Sequence, residues 1–228
     1  MNVLVACEES QAVCTEFRKL GHNAFSCDIV PCSGGHTEWH IMQDVLPLLN
    51  GHCMFVTMNN ELHVIEEWDL IIAFPPCTHL TITGAAWFEE KRKDGRQQMA
   101  IDFFMRFVNC NCEHIAIENP VGIMSTVYAK PTQIIEPWWF GDNVCKKTCL
   151  WLKGLPALKQ EQTDKPQIEY FTWIDKKTGK VKRQTKWYYE TSCLPLKLRA
   201  VARSKTFPGI ARAMAVQWSK YLANIPSS

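Results

Sequence analysis

The first 28 residues of the chain read as a strand, a helix and a second strand, and this pattern constrains the fold more than any other. Residues 2 to 6, NVLVA, form a short apolar run typical of a buried strand, and residues 23 to 28, NAFSCD, form another that ends at Asp28. Residues 10 to 20 place apolar side chains at helical spacing, with Ser10 as the candidate N-cap. This succession predicts a βαβ unit and therefore a parallel sheet.

Strands and helices continue to alternate as far as about residue 125. Residues 68 to 74, WDLIIAF, and 114 to 119, HIAIEN, predict two more strands, and residues 96 to 110 predict a helix. Residues 53 to 65 carry Asn59-Asn60 between two β-rich runs, which indicates a small hairpin. We therefore predict an α/β fold with a doubly wound, Rossmann-like core.

The second half of the chain is less regular and is punctuated by proline and glycine. Residues 171 to 190 predict a β-hairpin with its turn near Gly179, residues 78 to 95 are irregular and charged, and residues 207 to 224 predict a helix with Pro208 in its first turn. The predicted organisation is an α/β core over 1–140, a small, partly β appendage over 141–202, and a C-terminal helix over 203–228 that returns to the core.

Composition excludes several classes of protein. Apolar residues make up 46% and charged residues 21%, as in soluble globular proteins, and no run of about 18 apolar residues predicts a membrane span. The N-terminus lacks the features of a signal peptide, so we expect a cytoplasmic protein. The eleven cysteines form no C-x-x-C pair, so their spacing predicts no metal site, and an odd count without an export signal predicts no disulfide framework.

Polar residues follow four of the predicted strands, which is where an open α/β sheet binds its ligands. The four groups are Cys7-Glu8-Glu9-Ser10, Asp28, Pro75-Pro76-Cys77 and Glu118-Asn119-Pro120. Their coincidence predicts one site at the carboxyl edge of the sheet.

The first two of these groups suit an adenosyl ligand. Asp28 lies 21 residues beyond Cys7, the interval at which an acid in this kind of fold reaches a ribose hydroxyl, and Asp44 is a candidate acceptor for an adenine amine. Either acid could instead cap a helix or face solvent. The first loop has no G-x-G-x-x-G, so a ligand without phosphates is expected there. The candidate residues for this ligand are Cys7, Glu8, Ser10, Asp28, Asp44 and Pro75.

The third group places a thiol beyond the end of a strand. Pro75 and Pro76 cannot donate to a sheet ladder, so they end the strand and bend the chain. The bend projects Cys77 towards the neighbouring strand's Glu118. Because a thiolate adds readily to an electron-poor carbon, we predict that Cys77 is a nucleophile, the alternative being a small core residue.

These residues resemble the DNA (cytosine-5)-methyltransferases. The matching motifs are FPPC-T-x-L, which carries a proline–cysteine pair, and IENPVG, which carries a Glu-Asn pair. The chain is most similar to small phage-type members, in which stretches like EPWWFGD, KKTCLWLKGLP and RSKTFPGIARAMAVQW recur, and the resemblance covers nearly the whole chain.

The resemblance implies a site and a mechanism. S-adenosylmethionine would be the methyl donor, and the substrate would be a cytosine of DNA flipped out of the duplex. Cys77 would add to carbon 6 of the ring, Glu118 would bond to ring nitrogen 3, and Asn119 would orient the base or the loop. Residues 78 to 95 would close over the base, with Gly84 and Gly95 as hinges. The implied setting is phage- or prophage-encoded, in a bacterial host.

A basic stretch supplies the candidate contacts to DNA. Residues 175 to 186, DKKTGKVKRQTK, carry one acid among many cations, and such patches attract phosphate backbones. The candidates are Lys176, Lys177, Lys180, Lys182 and Arg183 in this stretch, and Arg203 outside it. The alternative is a solvated hairpin without a partner. The aromatic run Trp138, Trp139 and Phe140 is a candidate for base stacking or, alternatively, for the core.

The chain departs from the family pattern at three places, and other functions remain open. Its first motif lacks glycines, and a Q-x-R-x-R motif is not evident. There is no large target-recognition domain, so the resemblance implies that residues 141–202 form a reduced target-recognition-like region around the basic hairpin. The alternatives are a methyltransferase acting on an exocyclic amine or a free nucleotide, and a non-catalytic protein that binds DNA or S-adenosylmethionine. An amine methyltransferase needs a hydrogen-bond acceptor where this chain has Phe74. The oligomeric state is not predicted.

Overall fold

The computed structural model describes residues 1–82 and 88–225, and a seven-stranded sheet lies at its centre. Strands are numbered in chain order. Those of the central sheet are β1 (Asn2–Ala6), β2 (Asn23–Asp28), β3 (His40–Met42), β6 (Leu70–Ala73), β7 (Ile115–Pro120), β8 (Gln133–Ile135) and β9 (Thr148–Lys153). Two separate antiparallel pairs are formed by β4 (Cys53–Val56) with β5 (Leu62–Ile65) and by β10 (Tyr170–Ile174) with β11 (Val181–Thr185).

The central sheet is mostly parallel. Its order is β3-β2-β1-β6-β7-β9-β8, and the first five of these strands run parallel to one another. Among the described strands of this sheet, β9 alone has the opposite direction, because it pairs antiparallel with both β7 and β8. The predicted α/β class is therefore confirmed.

Helices cover both faces of the sheet because each strand sends successive side chains to opposite faces. The α-helices are α1 (Ala12–Lys19), α2 (Phe88–Lys93), α3 (Arg96–Val108), α4 (Met124–Val127), α5 (Lys186–Cys193), α6 (Leu196–Ser204) and α7 (Pro208–Leu222). Phe104 and Phe107 of α3 pack on one face, and Phe17 of α1 packs with Trp218 of α7 on the other. Within the described ranges, no helix is long and apolar enough to cross a membrane.

The order of the strands changes direction between β1 and β6. From β1 the chain adds β2 and β3 on one side, then crosses to β6 and β7 on the other. Ala6 and Ala73 are partners in the β1–β6 register, so the carboxyl ends of these strands lie side by side. Such a switch point is where open α/β sheets bind ligands.

Both predicted hairpins are present, but the second is shorter than expected. Asn60 takes a left-handed conformation (φ 67°) in the β4–β5 loop, and Gly179 does so (φ 66°) in the β10–β11 turn. The sequence after Thr185 forms helix α5 instead of extending the second strand.

Three other boundaries differ from the sequence-based ones. Strand β9 belongs to the central sheet, so part of the predicted appendage over 141–202 is core. Helix α6 ends at Ser204 and includes Arg203, so the C-terminal helix does not begin at residue 203 but at Pro208. The stretch 78–95 is not wholly irregular, because α2 lies in it. Of its two predicted hinges, Gly95 precedes α3 with a φ of 79°, and Gly84 lies outside the described residues.

Candidate active site

Two cavities meet at the carboxyl ends of β1 and β6. The Glu118 cavity has a volume of about 390 Å³ and is lined by residues that include Pro75, Glu118, Asn119 and Lys146. The Asp28 cavity has a volume of about 680 Å³ and is lined by residues that include Glu8, Glu9, Ser10 and Asp28. They share six lining residues, namely Cys7, Phe74, Pro76, Cys77, Arg203 and Ser204. Cys77 therefore borders both chambers.

The loop that carries Cys77 is fixed at several points. The Cys77 carbonyl accepts from the backbone N–H groups of Leu80 (2.9 Å) and Thr81 (3.0 Å), which makes a tight turn after the prolines. Lys91 of α2 is buried, and its Nζ donates to the Thr78 carbonyl at 2.7 Å. The Cys77 side chain is partly exposed, as a nucleophile at a cavity wall must be.

Glu118 and Asn119 occupy the carboxyl end of β7, one strand away from Cys77. Asn119 is buried, and its Nδ2 donates to the Pro75 carbonyl at 2.8 Å, which ties β7 to the proline pair. The buried Oδ1 of Asn119 has no hydrogen-bond partner within the described part of the chain. Asn119 thus positions the loop that carries the thiol.

Charges at the Glu118 cavity bear on the protonation of both candidate catalytic groups. Burial raises the pKa of the Cys77 thiol and the nearby Glu118 carboxylate raises it further, whereas the Lys146 ammonium lowers it. Burial also raises the pKa of Glu118, again opposed by Lys146. A carboxyl group with a raised pKa keeps its proton to higher pH and can act as a hydrogen-bond donor.

Lys146 was not found from the sequence. Strand β9 runs antiparallel to β7 with Pro120 opposite Thr148, so the residues just before β9 lie beyond the tip of β7. Lys146 Nζ donates to the Arg203 carbonyl at 2.9 Å. The lysine could have been identified only if the antiparallel pairing had been known, because nothing in the local sequence distinguishes it from Lys147.

The reactivity of the Cys77 thiol should follow these charges. Glu118→Gln removes a negative charge that raises the thiol pKa, so alkylation of Cys77 by iodoacetamide at pH 8 is expected to become faster. Lys146→Met should make it slower, and each unit of pKa changes the thiolate fraction about tenfold. The rate is measured by mass spectrometry of the Cys77 peptide. The matched control is Lys147→Met, because Lys147 lines the same cavity but is not among the charges that shift Cys77. Equal rates in all four proteins would contradict this electrostatic account.

The Asp28 cavity gathers most of the residues predicted for an adenosyl ligand. Asp28 ends β2, its Oδ1 accepts from the Val30 N–H at 3.2 Å, and burial raises the pKa of its carboxyl. Val30 also lines the cavity and adds an apolar surface beside the carboxylate. Asp44 is not among the lining residues. It is exposed, and its Oδ1 accepts from the Leu46 N–H at 3.0 Å at the start of a 3₁₀ helix, in line with the alternatives named for it above.

The glycine-free first loop nevertheless takes the backbone conformations that glycine favours. Cys7 and Gln11 both have a φ of 59°, in the left-handed region. The Gln11 side chain is fully buried, and it bonds both the N–H (3.0 Å) and the carbonyl (2.8 Å) of His36. These bonds hold a strained turn, a feature that clusters at functional sites.

Glu8 caps helix α1, so the prediction of Ser10 as its N-cap was wrong. The Glu8 carboxylate accepts from the backbone N–H groups of Val13 (2.7 Å) and Cys14 (3.2 Å) at the start of the helix. Gln11, the residue before the helix, takes the left-handed conformation and makes no side-chain cap. Burial raises the pKa of Glu8 to about 7 despite these hydrogen bonds.

Because of Glu8, the free energy of unfolding should fall between pH 5 and pH 8. A carboxyl with a raised pKa in the folded state contributes stability below its unfolded pKa, and that contribution is lost as the pH rises through about 7. The shift corresponds to about 3 kcal/mol. Glu8→Gln should remove this part of the pH dependence in urea unfolding at pH 5 and pH 8, whereas the exposed Glu67→Gln should not. A wild-type slope that persists in Glu8→Gln would refute the assignment.

The candidate DNA contacts on the β10–β11 hairpin are exposed and lie away from the cavities. Lys176, Lys177, Lys180, Lys182 and Arg183 are all exposed, and none lines either cavity. Lys182 forms an ion pair with Asp175, and the Arg183 guanidinium lies 5.1 Å from the centre of the Tyr170 ring. The basic surface is therefore separate from the thiol.

The predicted aromatic run lies outside both cavities. Phe140 is buried in the core, Trp139 packs against it, and Trp138 Nε1 donates to Glu136 Oε2 at 2.5 Å. Besides Phe74, the aromatic side chains that line the Glu118 cavity are Trp187 and Tyr188 of α5, which no sequence motif had indicated. Across residues 1–82 and 88–225, no three or more His, Cys, Asp or Glu side chains are grouped to hold a metal ion.

Comparison with known proteins does not place the chain in a family. No protein-family model matches it, and no curated protein matches it.

Proposed function

We propose that this protein transfers a methyl group from S-adenosylmethionine to carbon 5 of a cytosine base in DNA, on a doubly wound, Rossmann-like core. One observation carries the proposal. Cys77 borders two adjoining cavities, one of which contains Glu118 and the other Asp28. A reaction between two bound molecules needs such an arrangement, with the nucleophile where the two meet.

The residues of the Asp28 cavity fit an adenosyl ligand without phosphates. The Asp28 carboxylate can accept from ribose hydroxyls, Val30 offers an apolar contact, and the Glu9 carboxylate can pair with an amino group. The volume of about 680 Å³ lies within the usual range of ligand sites. When bound there, S-adenosylmethionine supplies an electrophilic methyl group.

Cys77 and Glu118 would act on the cytosine ring in the other cavity. The Cys77 thiolate forms a bond to carbon 6 while Glu118 hydrogen-bonds to ring nitrogen 3 and neutralises the charge that develops there. Carbon 5 would thereby become nucleophilic and take the methyl group from the sulfonium sulfur, which would keep the electron pair of the broken bond. Loss of the carbon 5 proton to solvent would then return its bonding electron pair to the ring and break the bond between carbon 6 and the Cys77 sulfur, which releases the thiolate. Before Cys77 bonds to carbon 6, the Lys146 ammonium lowers the pKa of the thiol and so favours the thiolate.

The substrate assignment rests on the basic hairpin and on Phe74. The exposed cations of β10–β11 favour a polynucleotide over a free nucleotide. Phe74 lines both cavities directly before the proline pair and offers no side-chain acceptor for an exocyclic amine. A non-catalytic binding protein would have no need for a thiol and a carboxyl on one cavity wall.

The test is incubation with S-adenosylmethionine carrying a tritiated methyl group and either DNA or dCMP. The tritiated methyl group is expected at carbon 5 of cytosine in DNA. In a second experiment, with DNA tritiated at carbon 5 and unlabelled S-adenosylmethionine, an equal amount of tritium should be released. Label in dCMP alone would indicate a free-nucleotide enzyme, and label on an exocyclic nitrogen would indicate an amine methyltransferase. No transfer to either substrate would indicate a binding protein.

A further inference from the structure

Two aromatic side chains of helix α5 reach the cavity that holds Glu118. Trp187 and Tyr188 line it together with Cys77 and Lys146. The Trp187 ring lies 5.5 Å from Phe207, which packs against the core, and 6.2 Å from Tyr188. An aromatic surface therefore meets the thiol and the carboxyl in one chamber.

Arg203 makes three contacts to helix α5, two of them to Tyr188. Its Nη2 donates to the Tyr188 carbonyl at 3.1 Å, its Nε donates to Thr191 Oγ1 at 3.0 Å, and its guanidinium lies 3.9 Å from the centre of the Tyr188 ring. Because the guanidinium covers one face of the ring, a ligand in the cavity meets the other face or the edge. A cation over one face also fixes the ring in place.

Helix α5 is also joined to the basic hairpin. Phe171 of β10 stacks on Tyr189 at 3.7 Å with an interplanar angle of 11°, and the Lys186 N–H donates to the Glu169 carbonyl at 2.9 Å. The aromatic surface at the cavity and the cationic surface outside it thus belong to one unit.

We infer that Tyr188, positioned by Arg203, forms a stacking subsite for a planar pyrimidine ring in the Glu118 cavity. The identity of that ring as cytosine rests on the proposed function, but the subsite itself rests on the geometry of α5 and α6. Arg203 is a positioning residue in this arrangement, since its donors are directed to α5. Base–aromatic stacking depends on the π face and is sequence-tolerant, so the subsite adds affinity for the ring without reading sequence.

The test compares two single-stranded oligonucleotides, oligo-dC and an abasic oligomer of equal length, by fluorescence anisotropy. Cys77→Ser serves as the background so that no covalent adduct forms. The background protein should bind oligo-dC about tenfold more tightly than the abasic oligomer. Adding Tyr188→Ala or Tyr188→Leu should remove most of this ratio while leaving the abasic affinity unchanged, because the hairpin still contacts the backbone. Tyr188→Phe should keep the ratio.

Arg203→Lys keeps the positive charge but loses the planar guanidinium group that holds Tyr188. The ratio of the two affinities should therefore fall to a value between those of the background protein and of Tyr188→Ala. Tyr221→Ala on α7, outside both cavities, is the matched control and should change nothing. The inference is overturned if the background protein does not distinguish the oligomers, if Tyr188→Leu keeps the ratio, or if Tyr188→Phe loses it. If the background protein shows the ratio but the wild-type protein transfers no methyl group, the proposed function fails and the subsite stands.

Discussion

Replacing Cys77 by serine is expected to abolish covalent capture of DNA that contains 5-fluorocytosine and to lower methyl transfer roughly 10³-fold or more. A serine hydroxyl is scarcely ionised near neutral pH and adds poorly to carbon 6 of a pyrimidine. Hydrogen leaves carbon 5 as a proton, but fluorine cannot leave as a cation, so the wild-type adduct persists after methylation. Capture is measured as a slower-migrating protein–DNA band that resists denaturation.

The control for this variant is Cys193→Ser. Cys193 is exposed at the end of α5 and lines neither cavity, so its replacement should leave capture unchanged. Urea unfolding of both variants should match the wild type, which separates loss of chemistry from loss of fold. Capture that survives in Cys77→Ser would exclude Cys77 as the nucleophile.

Replacing Glu118 by alanine should lower methyl transfer by about 10²- to 10⁴-fold, the usual contribution of general acid catalysis. Burial raises the pKa of Glu118, so its protonated, donating form persists above the ordinary range of a carboxyl. Activity that needs this form must decline as the pH rises through the raised pKa. Glu118→Gln keeps a neutral donor at every pH, so it should retain more activity than Glu118→Ala.

The pH profile distinguishes this role from a structural one. The decline on the basic side that is due to Glu118 should disappear in Glu118→Gln, whereas a merely structural carboxyl would leave the shape of the profile intact. Glu66→Gln, at an exposed carboxyl in the β5–β6 loop, is the matched control and should behave as wild type. A Glu118→Ala variant with normal turnover would eliminate Glu118 from the mechanism.

Much of the sheet could be predicted because its strands are short apolar runs with clear ends. NAFSCD corresponds to β2 residue for residue, since its buried side chains are bounded by turn residues on one side and an acid on the other. The proline pair ends β6 as expected, and parallel pairing then brings Cys77 and Glu118 to one edge. For these features, the local residue pattern was sufficient together with the rule that parallel strands bring their carboxyl ends to one edge of the sheet.

The missed features depend on contacts that are distant in sequence. Residues 186 to 190, KWYYE, have the aromatic composition of a strand, yet they form α5 because Tyr189 stacks on Phe171 and Arg203 binds Tyr188. Lys146 reaches the cavity only through the antiparallel insertion of β9. The sequence motif predicts a ligand role for Glu8, although a buried carboxylate three residues before the left-handed Gln11 also satisfies helix donors.

The segment between β9 and α7 leaves the sheet and comes back to it. Strand β9 is anchored by β7 and β8, while α7 packs beside α1, with His22 Nε2 and Ser219 Oγ 2.8 Å apart. Such an insert has fixed ends, so its length and sequence can vary at modest entropic cost to the rest of the molecule. It is therefore the part of the molecule best suited to replacement. Under the proposed function, a different insert at these two junctions would change which DNA is bound while the sheet folds as before.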